Sequence, residues 1–135
     1  MDQPSVSIEA RDVTPAQCQR VLEAFCPRFH YTVELVGKRW SGAILRAMLA
    51  GVVRFSDLAG AVPGLSDRLL SERLRELEAA GIIVRAVYPE TPVRIEYRLT
   101  DKGRALEPAI EALAHWAETW LPNPEDVVPE DAPAP

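Results

Sequence analysis

One stretch, residues 51–103, constrains the fold of this 135-residue chain more than any other feature. It opens with a short helical pattern that starts near Arg54 and stops at the turn dipeptide Pro63-Gly64. A longer amphipathic helix is predicted from Ser66, whose hydroxyl can serve as N-cap, to Gly81. Leucines spaced at i, i+4 and i+7 mark the side of this helix that faces the core: Leu70, Leu74 and Leu77.

Two strands joined by a proline-bounded tip complete this stretch. Residues 82–88 form the first strand and residues 89–92 (Pro-Glu-Thr-Pro) the tip. Residues 93–99 alternate between apolar and charged side chains, as a half-buried strand does. The alternation predicts Val93, Ile95, Tyr97 and Leu99 on the inner side and Arg94, Glu96 and Arg98 on the outer side. Helix, turn, helix and hairpin in this order are the connectivity of a winged helix-turn-helix, so we predict a mainly α-helical fold with a small β-hairpin wing, of the α+β class.

Further helices are predicted on both sides of this unit. Thr14 caps a first helix, others cover residues 28–36 and 40–50, and a last one begins at Thr100 with a kink at Pro108. The chain then divides into a flexible N-terminal arm (residues 1–13), one folded domain (14–121) and an acidic, proline-rich disordered tail (122–135).

The first and last helices carry more apolar surface than one small domain needs. The last helix presents Leu113, Trp116 and Trp120 in an arc that is too broad for a helix covering one face. Two interpretations are open: the helices of two copies pack around a two-fold axis in a homodimer, or the two helices pack on each other within one chain. We favour the homodimer.

Charge is distributed unevenly along the chain, whose net charge is -5. Residues 37–104 contain 12 Lys and Arg against 8 Asp and Glu, whereas residues 105–135 contain 7 acidic residues and no basic one. Basic side chains therefore concentrate in the predicted winged unit, as a surface that faces phosphates requires.

Composition also excludes several classes of protein. No apolar stretch is long enough to span a bilayer, and the N-terminus lacks the pattern of a signal peptide, so we expect a cytoplasmic protein without membrane contact. Cys18 and Cys26 are too few for a disulfide framework and belong to no Cys/His cluster, so we expect no metal and no cofactor. His30 and His115 stand in no recognisable catalytic motif, and we expect no enzymatic activity.

The helix that begins after Ser66 presents polar groups opposite its leucines. Arginine can read guanine, and a carboxylate can accept from the cytosine amino group. A solvated face held by i, i+4 ion pairs such as Arg68 with Glu72 explains the same pattern equally well. Wing arginines can contact phosphate or be ordinary strand charges. The predicted contacts to double-stranded DNA are Lys38, Arg39, Arg54, Ser56, Ser66, Asp67, Arg68, Ser71, Glu72, Arg75, Arg85 and Arg94.

Specific segments of the chain resemble the HxlR-type transcriptional regulators, a winged-helix family related to the MarR regulators. These segments are Cys26-Pro27, Leu35-Val36-Gly37-Lys38-Arg39-Trp40, Ile44-Leu45-Arg46, Arg54-Phe55-Ser56-Asp57-Leu58, Pro63-Gly64-Leu65-Ser66, Leu70 to Glu78, Tyr88-Pro89-Glu90, Glu96-Tyr97-Arg98-Leu99-Thr100 and Gly103. The resemblance implies a homodimer that binds a short inverted repeat and represses or activates transcription. One departure is that the family has Gly-Gly-Lys-Trp where this chain has residues 37–40. A left-handed backbone at Lys38 would be strained, because glycine alone adopts it readily.

The resemblance also singles out Cys26, because several family members sense oxidants or electrophiles with a cysteine at this place. Cys26 stands before Pro27 at a predicted helix N-terminus, where the helix dipole and Arg28 favour a thiolate. A small side chain filling a helix junction is the alternative. Cys18 is interpreted as a packing residue.

The sequence supports two further interpretations. By analogy with MarR relatives, a small-molecule effector would bind in a pocket lined by Phe29, Trp40, Trp116 and Trp120, although aromatic residues at helical spacing also serve as core. The alternative function is a winged-helix module that binds another protein instead of DNA.

Overall fold

A computed structural model of the chain describes residues 14–16, 20, 24–121, 123, 125 and 127. Its elements are α1 (Pro27–Val36), α2 (Ser41–Leu49), α3 (Phe55–Ala61), α4 (Asp67–Ala79), β1 (Ile83–Tyr88), β2 (Arg94–Leu99), α5 (Asp101–Arg104) and α6 (Glu107–Trp120). Residues 15, 16, 20 and 24 are also helical. The predicted mainly α-helical fold with a hairpin wing is confirmed.

Two compact units divide the chain, Met1–Glu34 and Leu35–Pro135. The second unit contains the complete helix-turn-helix and the hairpin. The predicted arm, residues 1–13, and Cys18 lie outside the described residues, as does most of the tail, so these assignments stay predictions.

The helix-turn-helix is organised around the leucine side of α4. Leu70, Leu74 and Leu77 are at most 1% exposed and pack in one core with Ile44 and Leu45 of α2, Leu58 of α3 and Ile83 of β1. Ser66 caps α4 as expected, because its Oγ accepts the Leu69 N–H at 3.2 Å. At the other end Gly81 has φ +75°, a left-handed backbone that suits glycine and ends the helix.

Backbone pairing between β2 and residues 53–54 joins the wing to the helices. β1 and β2 pair antiparallel from Ile83 opposite Leu99 to Tyr88 opposite Arg94. On the other side of β2, Arg54 pairs with Glu96, and the Tyr97 N–H donates to the Val53 carbonyl at 2.8 Å. Because Arg54 directly precedes α3, this pairing fixes the hairpin against the start of the helix-turn-helix.

Burial along β2 departs from the predicted alternation at two positions. Val93, expected on the inner side, is 61% exposed and precedes the strand, whereas Glu96, expected on the outer side, is only 6% exposed. The register still separates the residues into the two predicted faces. Burial of Glu96 comes from its own neighbours on the outer face, which are described below.

The predicted last helix is two helices. Thr100 caps only the short α5, where its Oγ1 accepts the Gly103 N–H at 3.1 Å. Pro108 lies in the first turn of α6 and has no N–H to donate to the carbonyl of residue 104, which disfavours a continuous helix here. Gly103 packs so closely against the residue before β1 that an added Cβ would overlap the Ile82 carbonyl oxygen.

The left-handed backbone of this loop lies at Trp40, two residues beyond Lys38. Within the described residues, Trp40 is the non-glycine residue with positive φ, at +75°, and Lys38 is not in this region. Trp40 is the N-cap residue of α2, and its carbonyl accepts the Ile44 N–H at 3.0 Å. The Arg39 guanidinium lies 5.1 Å from the centre of the Trp40 ring.

Candidate nucleic-acid interface

The outer face of α4 brings together the residues predicted to read bases. Asp67, Arg68 and Arg75 are exposed, and Ser71 and Glu72 are partly buried beside them. Arg68, Glu72 and Arg75 lie opposite the buried leucines and Ser71 lies at the edge of this side, whereas Asp67, three positions before Leu70, is exposed at the first residue of α4. The outer face therefore has two guanidiniums, one carboxylate and one hydroxyl.

The guanidiniums of this face are weakly engaged within the protein. Arg68 Nε lies 3.6 Å from Glu72 Oε1, with the Arg68 side chain 89% exposed. Arg75 Nε donates to the Ser71 carbonyl at a long 3.4 Å. The i, i+4 ion pair that sequence analysis offered as an alternative is therefore present, but an exposed pair at this distance adds little stability and leaves the side chain able to reorient.

Arg54 and Ser56 lie at the start of α3, next to the wing tip. Both are exposed, and they line one side of an open groove of about 490 Å³ whose other side is formed by residues 90–95. The geometry thus unites the first turn of α3 and the tip of the wing on one surface.

The two predicted wing arginines differ in their surroundings. Arg85 is exposed on β1 and forms no ion pair within the described part of the chain. Arg94 is 33% exposed: its Nη2 lies 3.3 Å from Glu90 Oε1, and its guanidinium stacks 4.4 Å from the centre of the Tyr88 ring. Arg94 is therefore a cross-link within the hairpin as well as a charge on its surface.

Glu96 forms the centre of a cluster that sequence analysis missed. Arg98 Nη2 donates to Glu96 Oε2 at 2.6 Å, and Arg94 Nε lies 3.9 Å from Glu96 Oε1. The hydrogen bond from Arg98, with its charge and that of Arg94 and a contact from the Tyr88 side chain, holds the pKa of Glu96 below its usual range against the opposing effect of desolvation. Glu96 and the Tyr88 side chain in turn raise the pKa of Arg98.

A second cluster fixes the loop before α2 to α4. Lys38 Nζ lies 2.8 Å from Glu76 Oε1, and Arg73 Nη1 lies 3.2 Å from the same oxygen. Arg73 Nε also donates to the Arg39 carbonyl at 2.8 Å. Lys38, predicted as a DNA contact, is thus engaged in a structural ion pair, which with Arg73 lowers the pKa of Glu76.

Sequence analysis missed Arg73 and Glu76, although one signal was present. Arg73 stands three residues after Leu70 and four before Leu77, on the core stripe of α4, and it is 9% exposed. A charged residue on such a stripe requires hydrogen-bond partners, because an unpaired buried charge is strongly unfavourable.

Cys26 occupies the position directly before α1. It is partly buried and forms no disulfide. The backbone N–H groups of Phe29 and Arg28, in the first turn of α1, stabilise the thiolate and lower the pKa of Cys26, and the Arg28 side chain adds to this effect. The site has the two properties of a reactive cysteine, namely partial access and a stabilised thiolate.

The four aromatic residues of the predicted effector pocket are largely accessible. Phe29, Trp116 and Trp120 are 70%, 57% and 68% exposed, and Trp40 is partly buried with its Nε1 lacking a hydrogen-bond partner. The groove at the wing tip is lined by other residues. An effector pocket formed by these four residues stays a prediction.

The described residues contain neither a metal-binding cluster nor a membrane-spanning helix. These residues include no group of three or more His, Cys, Asp or Glu side chains placed to hold a metal ion. None of the helices in the described part of the chain has the length and apolar character needed to cross a membrane.

Comparison with known proteins agrees with this geometry. The HTH-type transcriptional regulator YvaP of Bacillus subtilis is 52% identical over 96 residues, covering 71% of this chain and 89% of YvaP. YodB of the same organism, also an HTH-type transcriptional regulator, is 40% identical over 106 residues, covering 78% of this chain and 94% of YodB.

Solved structures give the same result. The reduced form of YodB superposes with a TM-score of 0.65 at 40% identity, covering 71% of this chain and 94% of that one. YodB structures have also been solved after diamide treatment and with a bound quinone. The redox regulator HypR in its reduced form superposes with a TM-score of 0.65 at 37% identity, covering 68% and 91% of the two chains.

A family profile extends this similarity over most of the second compact unit. The profile described as HxlR-like helix-turn-helix matches residues 35–125, which include both helices of the motif, the wing and α6. The chain belongs to the HxlR-like helix-turn-helix family, whose members among its relatives are transcriptional regulators.

Proposed function

We propose that the chain is a sequence-specific regulator of transcription that binds a short inverted repeat in double-stranded DNA as a homodimer. The observation that carries the proposal is the outer face of α4, where Arg68 and Arg75 are exposed on a helix that is anchored by buried leucines and capped at Ser66. A helix fixed on one side and polar on the other is suited to the major groove.

In this proposal each surface has a distinct task. Arg68, Ser71, Glu72 and Arg75 contact base edges, with Asp67 at the first residue of the same helix. Side chains around this face hold phosphates and set the register of the protein on the duplex. These phosphate-contacting residues are Arg39, Arg54, Ser56, Ser66, Arg85 and Arg94.

A homodimer is supported by the exposed apolar face of α6. Leu113, Trp116 and Trp120 are 57–68% exposed in the single chain, and such a face on a folded protein is typical of an association site. A second copy would place two α4 helices on one side of a duplex, at half-sites about 34 Å apart. Trp116→Glu should give a monomer by sedimentation velocity, whereas Thr119→Glu, which adds the same charge to the same helix, should leave the dimer intact.

The experiment that tests DNA binding is selection of duplexes from a randomised library by the wild-type protein. We expect enrichment of an inverted repeat whose binding weakens steeply with salt, because each neutralised phosphate releases counterions. Recovery of no preferred sequence, or binding that is insensitive to salt, would instead favour the protein-interaction module.

We further propose that Cys26 makes DNA binding responsive to oxidants or electrophiles. The proposal is supported by the stabilised thiolate at the start of α1 and by the diamide-treated and quinone-bound forms of the relative YodB. In a Cys18→Ser background Cys26 is the remaining thiol, so diamide would oxidise the Cys26 thiols of the two subunits to one disulfide, being itself reduced, and should change the affinity for the selected duplex.

The chemistry of Cys26 can be measured apart from DNA binding. Its alkylation by iodoacetamide should persist to lower pH in the folded protein than in urea, because the folded state lowers the pKa of the thiol. Cys26→Ser should abolish the diamide response. The same response in Cys26→Ser and in the wild-type protein would refute the assignment.

A further inference from the structure

The outer face of the wing contains a buried carboxylate surrounded by arginines, and neither the family assignment nor the predicted contacts explain it. Residues directly opposite each other in an antiparallel pair lie on one face. Ala86 and Arg54 both pair with Glu96, so Glu96 is flanked on that face by Arg54 across the strand and by Arg94 and Arg98 along it.

The surroundings of Glu96 are unusual for a surface strand. Its side chain is 7% exposed, whereas those of Arg94 and Arg98 are 33% and 50% exposed. The face that packs on the core is the opposite one, which carries Ile83 and Leu99. Glu96 is therefore covered by cations of its own face and not by the hydrophobic core.

The remaining polar contacts tie the tip of the hairpin to this carboxylate. Tyr88 interacts with both Glu96 and Arg98, and its ring supports the Arg94 guanidinium. Glu90, at the tip, binds the other end of Arg94. The Tyr88-Pro89-Glu90 segment and the Glu96-Tyr97-Arg98 segment, which carried the family resemblance, thus form one connected group.

We infer that Glu96 is a positioning residue for DNA binding: it holds Arg94 and Arg98 in the orientation in which they, with Arg54, meet the DNA phosphates. The inference rests on the proposed function and adds Arg98 to the phosphate-contacting residues. A buried carboxylate that accepts a hydrogen bond from Arg98 and attracts Arg94 Nε from 3.9 Å restricts both guanidiniums before DNA arrives, so less side-chain freedom is lost on binding.

Positioning by Glu96 and net charge predict opposite effects of Glu96→Gln on DNA binding. Glu96→Gln removes a negative charge from a surface that faces phosphates, and charge alone predicts tighter binding. Loss of positioning predicts weaker binding. The two explanations therefore differ in sign.

The test measures affinity for the selected duplex and for an unrelated duplex over a range of salt concentrations. We expect Glu96→Gln to weaken binding to the selected duplex about five- to tenfold, as loss of one or two charge-assisted contacts would. The slope of log K against log salt should become shallower by about 1 to 2. A matched control is Glu111→Gln, which changes the charge equally at an exposed position of α6 and should leave the slope unchanged.

A double-mutant cycle compares Glu96→Gln, Arg98→Gln and the variant with both changes. It keeps the test valid if Glu96→Gln lowers the stability of the fold. The double variant restores the net charge, and its circular dichroism and thermal unfolding report folding independently of binding. Because Glu96 acts in part through Arg98, the loss of binding in the double variant should be smaller than the sum of the losses in the two single variants.

The outcomes separate this inference from the proposed function. Tighter binding by Glu96→Gln, an unchanged salt slope, or additive losses in the double variant would overturn the role of Glu96 while DNA binding by the wild-type protein stands. Absence of any sequence preference in the wild-type protein would overturn the proposed function itself.

Discussion

The outer face of α4 and the outer face of the wing both present arginines, but they hold them differently. On α4, Arg68 is 89% exposed, and its carboxylate contact is 3.6 Å long. On the wing, Arg98 lies 2.6 Å from a buried carboxylate, and Arg94 is held between two carboxylates and an aromatic ring. One face has adaptable side chains and the other has preorganised ones.

Under the proposed function, this difference corresponds to two kinds of recognition. Reading a base edge requires a side chain to adopt the geometry that the base imposes, and an exposed arginine can do so. Phosphates recur at fixed spacing along any duplex, so cations that meet them gain from being fixed in advance. The comparison predicts that variants of the two faces will differ in sequence dependence as well as in affinity.

The largest expected effect comes from the side of α4 that holds its outer face in place. Leu74 is 1% exposed at the centre of the core. Leu74→Ala should lower the free energy of unfolding by about 2–5 kcal/mol, because it removes buried contacts and leaves a cavity. Urea denaturation measures this directly. Loss of less than about 1 kcal/mol would mean that α4 is not anchored by its leucines.

The second prediction addresses the outer face of α4 itself. Arg75→Ala and Arg68→Ala should each weaken binding to the selected duplex by about 1–3 kcal/mol and relax the preference at one base position, if the side chain reads a base. Stability should change by less than about 0.5 kcal/mol, because both side chains are exposed. Titration by fluorescence anisotropy over single-base variants of the duplex gives the measurement.

Arg98 on the outer face of the wing provides the contrasting variant. Arg98→Gln should weaken binding by a similar factor on all duplexes and reduce the salt slope by about 1, because a phosphate contact carries no sequence information. If Arg75→Ala also weakened all duplexes equally, α4 would be a phosphate-binding element and the distinction between the two faces would fail.

Much of the fold could be predicted because local patterns and core packing agree. The spacing of the leucines in α4 predicted which side is buried, and Ser66 and Gly81 predicted its ends. The hairpin followed from two apolar runs and a proline-bounded tip. In each case the pattern arises from contacts between residues that are close in sequence, so it can be read without knowing the tertiary structure.

The ion-pair clusters could not be predicted because their partners are distant in sequence or lie on a face that alternation assigns to solvent. Lys38 and Glu76 are 38 positions apart and meet only after α4 packs beside the loop before α2. Glu96 has the outward position of an ordinary strand charge, and only the arginines and the tyrosine around it reveal that it is buried. Charge patterns indicate a basic unit but do not show which cations are already engaged.

The smallest expected effect is a pH dependence of stability that distinguishes the wing cluster from the α4 face. The folded state lowers the pKa of Glu96. Ionised Glu96 therefore stabilises the fold fully at a pH above the pKa of this glutamate in the unfolded chain, about 4.3. This stabilisation is lost as the pH falls through the lower pKa of Glu96 in the folded state. Wild-type protein should therefore lose stability between pH 5 and acid pH more steeply than Glu96→Gln, as measured by urea denaturation at each pH.

Glu76→Gln should show the same reduced acid sensitivity, because Lys38 and Arg73 lower the pKa of Glu76 in the folded state. Glu111→Gln, at an exposed position of α6, serves as the control and should follow the wild-type curve. If Glu96→Gln were as sensitive to acid as the wild-type protein, the carboxylate would not be held by its arginines in solution. The wing would then present its cations as freely as α4 does, and the contrast between preorganised and adaptable arginines would disappear.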